Sequence, residues 1–158
     1  MRTVVILLVT LTVMFAQACS ASEDGQANNW IEKLFPSMSN CTPRNGFYFN
    51  ADTKRTNSGL LEGKGYSPYK VDAHTARYKI HEKFFGLDAI EIAIPSSTDS
   101  VYAVVVSGDV KQLSRAIFDN TGKKLRVVGK GFKAKSGVAY LAVEHANEAM
   151  FVCFTFEE

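Results

Sequence analysis

The sequence predicts a mainly β fold: an antiparallel β-sandwich or small barrel with one short N-terminal helix, or alternatively an α+β arrangement in which one helix packs across a sheet. Three observations predict it. Period-two alternation of apolar and polar residues dominates from Arg77 to Phe156. The alternating segments are joined by short connections marked by Gly, Asn and Pro. Eleven Phe and six Tyr supply the bulk that a β-rich interior needs.

The first expected element is a short helix. Asn28 or Asn29 caps it, Trp30, Ile31, Leu34 and Phe35 share one face, and Pro36 stops it. Trp30 reads as an apolar anchor docking this helix on a sheet. Residues 40–70 are turn-rich, with one short strand at Phe47-Tyr48-Phe49 behind an Asn45-Gly46 hairpin turn. Arg77 to Glu82 places Tyr78 and Ile80 inward. Ala89 to Ile94 places Ile90, Ile92 and Ile94 on one face, and Pro95 ends it. Val101 to Val106 is apolar on both faces, the mark of a central strand. Leu113 to Val128 reads as a hairpin turning at Asp119-Asn120-Thr121-Gly122, because that tetrapeptide is a strong turn. A helix over Val110 to Phe118 competes with it, since Val110, Leu113 and Ile117 also fit helical spacing. Val138 to Val143 and Ala149 to Phe156 form a last pair around Asn147, with Met150, Val152, Phe154 and Phe156 on one face and Phe151 and Cys153 on the other.

Upstream of these elements lies an export signal. Arg2 precedes an uncharged apolar run from Val4 to Phe15, and Ala16-Gln17-Ala18 supplies small residues for cleavage. That run is short of the ~20 residues a membrane-spanning helix needs. Residues 1–18 are therefore expected to be a signal peptide, 19–28 a polar tether and 29–158 a single β-rich domain. Ala18-Cys19 at the end of the apolar run resembles the bacterial lipoprotein pattern, with Ala16 where that family usually has Leu. The resemblance implies that Cys19 is acylated, becomes the new N-terminus and places the domain in the periplasm or on the outer membrane. Ordinary cleavage after Ala18 or Ala21 would instead release a secreted protein. Cys41 and Cys153 then remain as a disulfide pair in an oxidising compartment.

Charge is nearly balanced, 18 basic against 16 acidic residues, so it points to neither nucleic acid nor a membrane surface. One local feature stands out. Lys123, Lys124, Arg126, Lys130, Lys133 and Lys135 lie in one stretch with no acid among them. They read as a basic face for an acidic protein, an anionic glycan or a phospholipid headgroup, or as a solvated guard on an exposed sheet edge. The stretch runs into Ser136-Gly137-Val138-Ala139-Tyr140. Ser-Gly-x-x-Tyr resembles the loop motif of bacterial periplasmic lysozyme inhibitors, β-rich envelope proteins that plug an enzyme cleft. Carried over, Ser136 and Tyr140 would be contact residues, with the lysines adding attraction.

Catalytic signatures are lacking. His74, His81 and His145 show no paired spacing for a metal. There is no Gly-x-Ser-x-Gly elbow. Glu144 and His145 point to opposite faces of a strand. Gly63-Lys64-Gly65-Tyr66 and Gly129-Lys130-Gly131-Phe132 echo one another as turns but lack the continuation of a phosphate loop. The expectation is an exported, non-enzymatic binding domain of inhibitor or immunity type without metal or cofactor. Its partner would be an envelope protein such as a hydrolase or toxin, met through Lys130, Lys133, Lys135, Ser136, Gly137 and Tyr140. Nucleic acid is not expected as a partner, and membrane contact only through a lipid on Cys19. The alternatives are a barrel or sandwich carrying a small apolar ligand in an aromatic interior, and an enzyme whose site is assembled from dispersed residues.

Overall fold

The computed structural model describes residues 30–35, 41, 46–96, 100–129, 135 and 137–155. The fold is mainly β: a seven-stranded sheet, a two-stranded ribbon and three helices. The elements run α1 (Trp30–Leu34), β1 (Phe49–Asn50), β2 (Arg55–Thr56), α2 (Leu60–Gly63), β3 (Pro68–Val71), β4 (Thr75–Phe84), β5 (Leu87–Pro95), β6 (Ser100–Ser107), α3 (Val110–Thr121), β7 (Arg126–Val128), β8 (Val138–His145) and β9 (Glu148–Thr155). The large sheet has the order β3-β4-β5-β6-β9-β8-β7. Its pairings are antiparallel except β7–β8, which is parallel.

The helices and the β1–β2 ribbon gather on one face of this sheet, giving a sheet with a partial second layer. Trp30, Ile31, Leu34 and Phe35 of the α1 region are all buried there, as the helical spacing requires. Phe49 of the ribbon meets Tyr78 edge-on, with ring centroids 6.5 Å apart. Phe151 meets Phe35 edge-on and Phe84 at a tilt, with ring centroids 5.0 and 5.6 Å apart. On the other face lies a smaller cluster of Ala93, Ala103 and Val152, flanked by Val101, Met150 and Phe154.

The sheet confirms the strongest sequence patterns. Tyr78 and Ile80 are fully buried. β6 occupies the middle of the seven, and both of its faces are covered. β9 divides Phe151 and Cys153 from Val152 and Met150 across the two faces.

Three local expectations are corrected. In β5 a bulge falls between Ala89 and Glu91 against β6, so the alternation changes phase there. Ala89 therefore takes the core position beside Ile92 and Ile94, and Ile90 is only half-buried. At Phe47-Tyr48-Phe49 the side chains alternate as a strand would, but ladder pairing covers Phe49–Asn50 and the ribbon turns at residues 51–54, after the strand.

The third correction concerns Leu113 to Val128, which is not a hairpin. Its first half is the twelve-residue helix α3. Asp109 and Gln112 form a capping box in which each side chain bonds the other's backbone N–H. Leu113 and Ile117, one turn apart, are completely buried against β8 and β9. The tetrapeptide expected as a hairpin turn is the end of the helix. Thr121 Oγ1 donates to the Ile117 carbonyl, and Gly122 closes the helix in the left-handed conformation at φ 67°. A hairpin turn and a helix C-terminus both call for Gly after Asp/Asn, so the tetrapeptide does not distinguish them. Because α3 is a crossover, β7 returns parallel to β8 and the sheet is mixed.

Candidate partner-binding surface

Cys41 and Cys153 form the expected disulfide, with Cα atoms 5.2 Å apart. Both are buried, and the bridge fastens Cys41 to β9 under α1. Cys19 lies outside the described residues, as do Lys130, Lys133 and Ser136 of the basic stretch.

The described part of that stretch is organised around β8. Gly137, at φ 72°, donates its N–H to the Phe154 carbonyl at 2.8 Å and so ties the residue before β8 to β9. Tyr140 is only 4% exposed, and its hydroxyl accepts the Lys135 N–H at 3.2 Å. Tyr140 therefore holds the Lys135 backbone through its hydroxyl while its ring is buried. Lys135 itself is exposed, as are Lys123, Lys124 and Arg126.

Beside this stretch lies a groove of about 370 Å3 between α3 and β7. Val110, Ser114, Phe118 and Val127 line it, with Lys111, Arg115 and Lys124 around them. Phe118 and Val127 are 51% and 49% exposed, unusually open for large apolar residues. None of the described residues lining the groove is acidic. The register fixes which way β7 faces. Val127 pairs with the core residue Leu141 and so lies on the helix side, while Arg126 and Val128 pair with Tyr140 and Ala142 on the opposite side. Sequence reasoning missed Val110, Lys111, Arg115, Phe118 and Val127 as site residues, because a hairpin scatters them whereas a helix aligns them. The signal that could have found them is Asp109-x-x-Gln112 ahead of an i, i+4 apolar pair.

A second groove, of about 430 Å3, is lined by Trp30, Lys33, Leu34, Phe47, Asn57, Ser58 and Leu60. Its amide is engaged in holding the ribbon: Asn57 accepts from the Tyr48 N–H and donates to the Gly46 carbonyl. Trp30 carries Lys64 5.6 Å from its ring centroid, and Lys64 pairs with Glu82 at 3.1 Å.

Several other described polar groups are joined in structural sets. Glu62 accepts from the Thr56 N–H and hydroxyl and from the Tyr78 hydroxyl, tying β2, α2 and β4 together. Glu91 accepts from Arg77 at 2.9 Å and from the Tyr69 hydroxyl at 2.6 Å. That bond to Glu91, with burial, raises the Tyr69 phenol. Burial works against the Arg77 cation, but Glu91, Tyr69 and Glu144 together outweigh it and hold Arg77 more firmly charged. Asp72 folds back on the His74 and Thr75 N–H groups, and these bonds hold its carboxyl below the ordinary range. Among the described residues, no three His, Cys, Asp or Glu side chains come together as a metal site. No described helix is long and apolar enough to cross a membrane.

No protein-family model matches this chain, and no curated protein or solved structure matches it.

Proposed function

We propose that this chain is an exported, non-enzymatic protein-binding domain of inhibitor or immunity type, tethered to a bacterial envelope through Cys19. The observation that carries the reading is the basic, partly apolar margin of the sheet around β7. Exposed Phe118 and Val127 stand among Lys111, Arg115 and Lys124, and exposed Lys135 is bonded through its backbone N–H to Tyr140 of the neighbouring strand β8. Exposed apolar area within a charged rim is the usual composition of a protein interface.

A carrier of a small apolar ligand is the second reading, and the volume of the α3–β7 groove favours it. The groove is open along the sheet margin, which suits a polypeptide segment better than an enclosed molecule.

The test uses the mature, disulfide-bonded protein against a panel of envelope hydrolases, scoring inhibition of each. Inhibition of one member that is lost on replacing Lys130, Lys133 and Lys135 together by Glu is expected. Inhibition by none, or inhibition indifferent to that reversal, removes the reading. Intact mass of the protein from native membranes tests the tether: an acyl increment on Cys19 is expected, and an unmodified or absent Cys19 removes that part.

A further inference from the structure

We propose that the free margin of β7 takes up an extended, acidic segment of the partner protein as an additional strand, with its apolar side chains seated in the α3–β7 groove. This rests on the protein-binding reading and names the chemistry of the partner's contact segment.

β7 is the last strand of the sheet, and among the described residues no strand pairs with its outer side. A strand in that position leaves backbone N–H and C=O groups open to another chain. Proteins commonly blunt such margins with charge alone. Here an apolar recess lies directly beside the margin, on the helix side, where Phe118, Val110 and Val127 are exposed to it. An added strand projects alternate side chains to opposite faces. One set would enter the recess, beneath Lys111, Arg115 and Lys124. The other set would pass Arg126 and Val128 on the opposite side. Lys111, Arg115 and Lys124 therefore rim the recess on the helix side, which selects acidic residues beside the apolar ones in the set that faces it. Asp109, the N-cap beside Val110, has its side chain engaged by the Lys111 and Gln112 N–H groups, and neither it nor Asp119 of α3 is among the residues lining the groove. β7 spans three residues, so pairing would cover about 10 Å of an extended chain. The exposed apolar atoms line a concavity rather than crown a convex face. That shape suits side chains of a strand and not a flat bilayer.

The experiment titrates the mature protein with labelled peptides of the form x-Thr-Glu-Thr-x, where x is Val, Ile, Leu or Phe, so that Glu and x share the side facing the recess. Lys-for-Glu counterparts, and copies methylated on alternate backbone nitrogens, serve as comparisons. Binding by at least one acidic peptide is expected, with amide shifts at Val127 and Val128. It should weaken about tenfold or more on backbone methylation of the edge that pairs, and likewise in Arg115→Glu combined with Lys111→Glu. Both changed residues are exposed, and the thermal transition of the double variant checks that it folds. Equal binding of Lys and Glu peptides, or indifference to methylation, overturns the proposal. So does binding of phosphatidylglycerol vesicles or oleate, sensitive to the same double variant, with no peptide bound. If the double variant still inhibits the hydrolase while the Lys130, Lys133 and Lys135 reversal does not, this proposal fails and the protein-binding reading stands. If no hydrolase is inhibited, that reading fails on its own test.

Discussion

Glu62 concentrates much of the local chemistry in one carboxylate. Burial by itself raises its pKa, but the bonds from the Thr56 hydroxyl and N–H, from its own N–H and from the Tyr78 hydroxyl outweigh burial, and the net value lies below the ordinary 4.5. Because the folded value is depressed, Glu62 contributes stability that is complete above 4.5 and is lost as pH falls through the folded value. Glu62→Gln should therefore unfold at lower denaturant than the native protein at pH 7, and the gap should shrink as the pH is lowered below 4.5. Urea titrations of both proteins across that range check it, and a gap that widens on acidification would contradict the assignment. Tyr140 gives a second prediction at this scale. Tyr140→Phe removes the acceptor of the Lys135 N–H, a loss of about 0.5 to 1.5 kcal/mol at most. Amide exchange at Lys135 should quicken while exchange at buried Leu141 stays slow.

Helix α3 is the element on which the site depends, because it aligns Val110, Ser114 and Phe118 along the groove. Its N-terminus is fixed by Asp109, whose side chain accepts from the Lys111 and Gln112 N–H groups at 2.8 Å. Asp109→Ala should cost about 1 kcal/mol in denaturant unfolding. Gly108, immediately before it, has φ +127°, and a Cβ there would lie 2.7 Å from Gln112 Oε1. Gly108→Ala would impose a backbone conformation that side chains rarely adopt and push Gln112 out of the capping box. A loss of about 1 to 3 kcal/mol is expected, larger than that of Asp109→Ala. The order of the two variants in guanidinium unfolding decides between this account and one in which the cap alone matters.

For the whole molecule, the Cys41–Cys153 bridge spans 112 positions and joins the start of the domain to its last strand. Closing so long a loop in the unfolded chain is worth about 4 to 5 kcal/mol by chain entropy. Cys41→Ser with Cys153→Ser should lower the unfolding midpoint accordingly, and reductant should then have no further effect on that variant. A midpoint unchanged in the variant would show that the bridge carries no such constraint.

Alternation settled most of the sheet from sequence: Tyr78, Ile80, the two-faced Val101–Val106 segment and the split of Phe151 from Val152 follow from period two wherever a strand is regular. The cysteine pairing was legible for another reason, since only two cysteines fall within the expected domain. Where β5 bulges, alternation changes phase, and Ala89 replaced Ile90 in the core because an added residue has no local signature. Residues 110–121 allowed both helix and hairpin, since Asp-Asn-Thr-Gly ends either. The Asp109–Gln112 capping box favours the helix locally, and burial of Leu113 and Ile117 against β8 and β9 fixes it. That choice of packing, made over sequence separations that no local pattern reports, placed β7 at the margin of the sheet and opened the groove beside it.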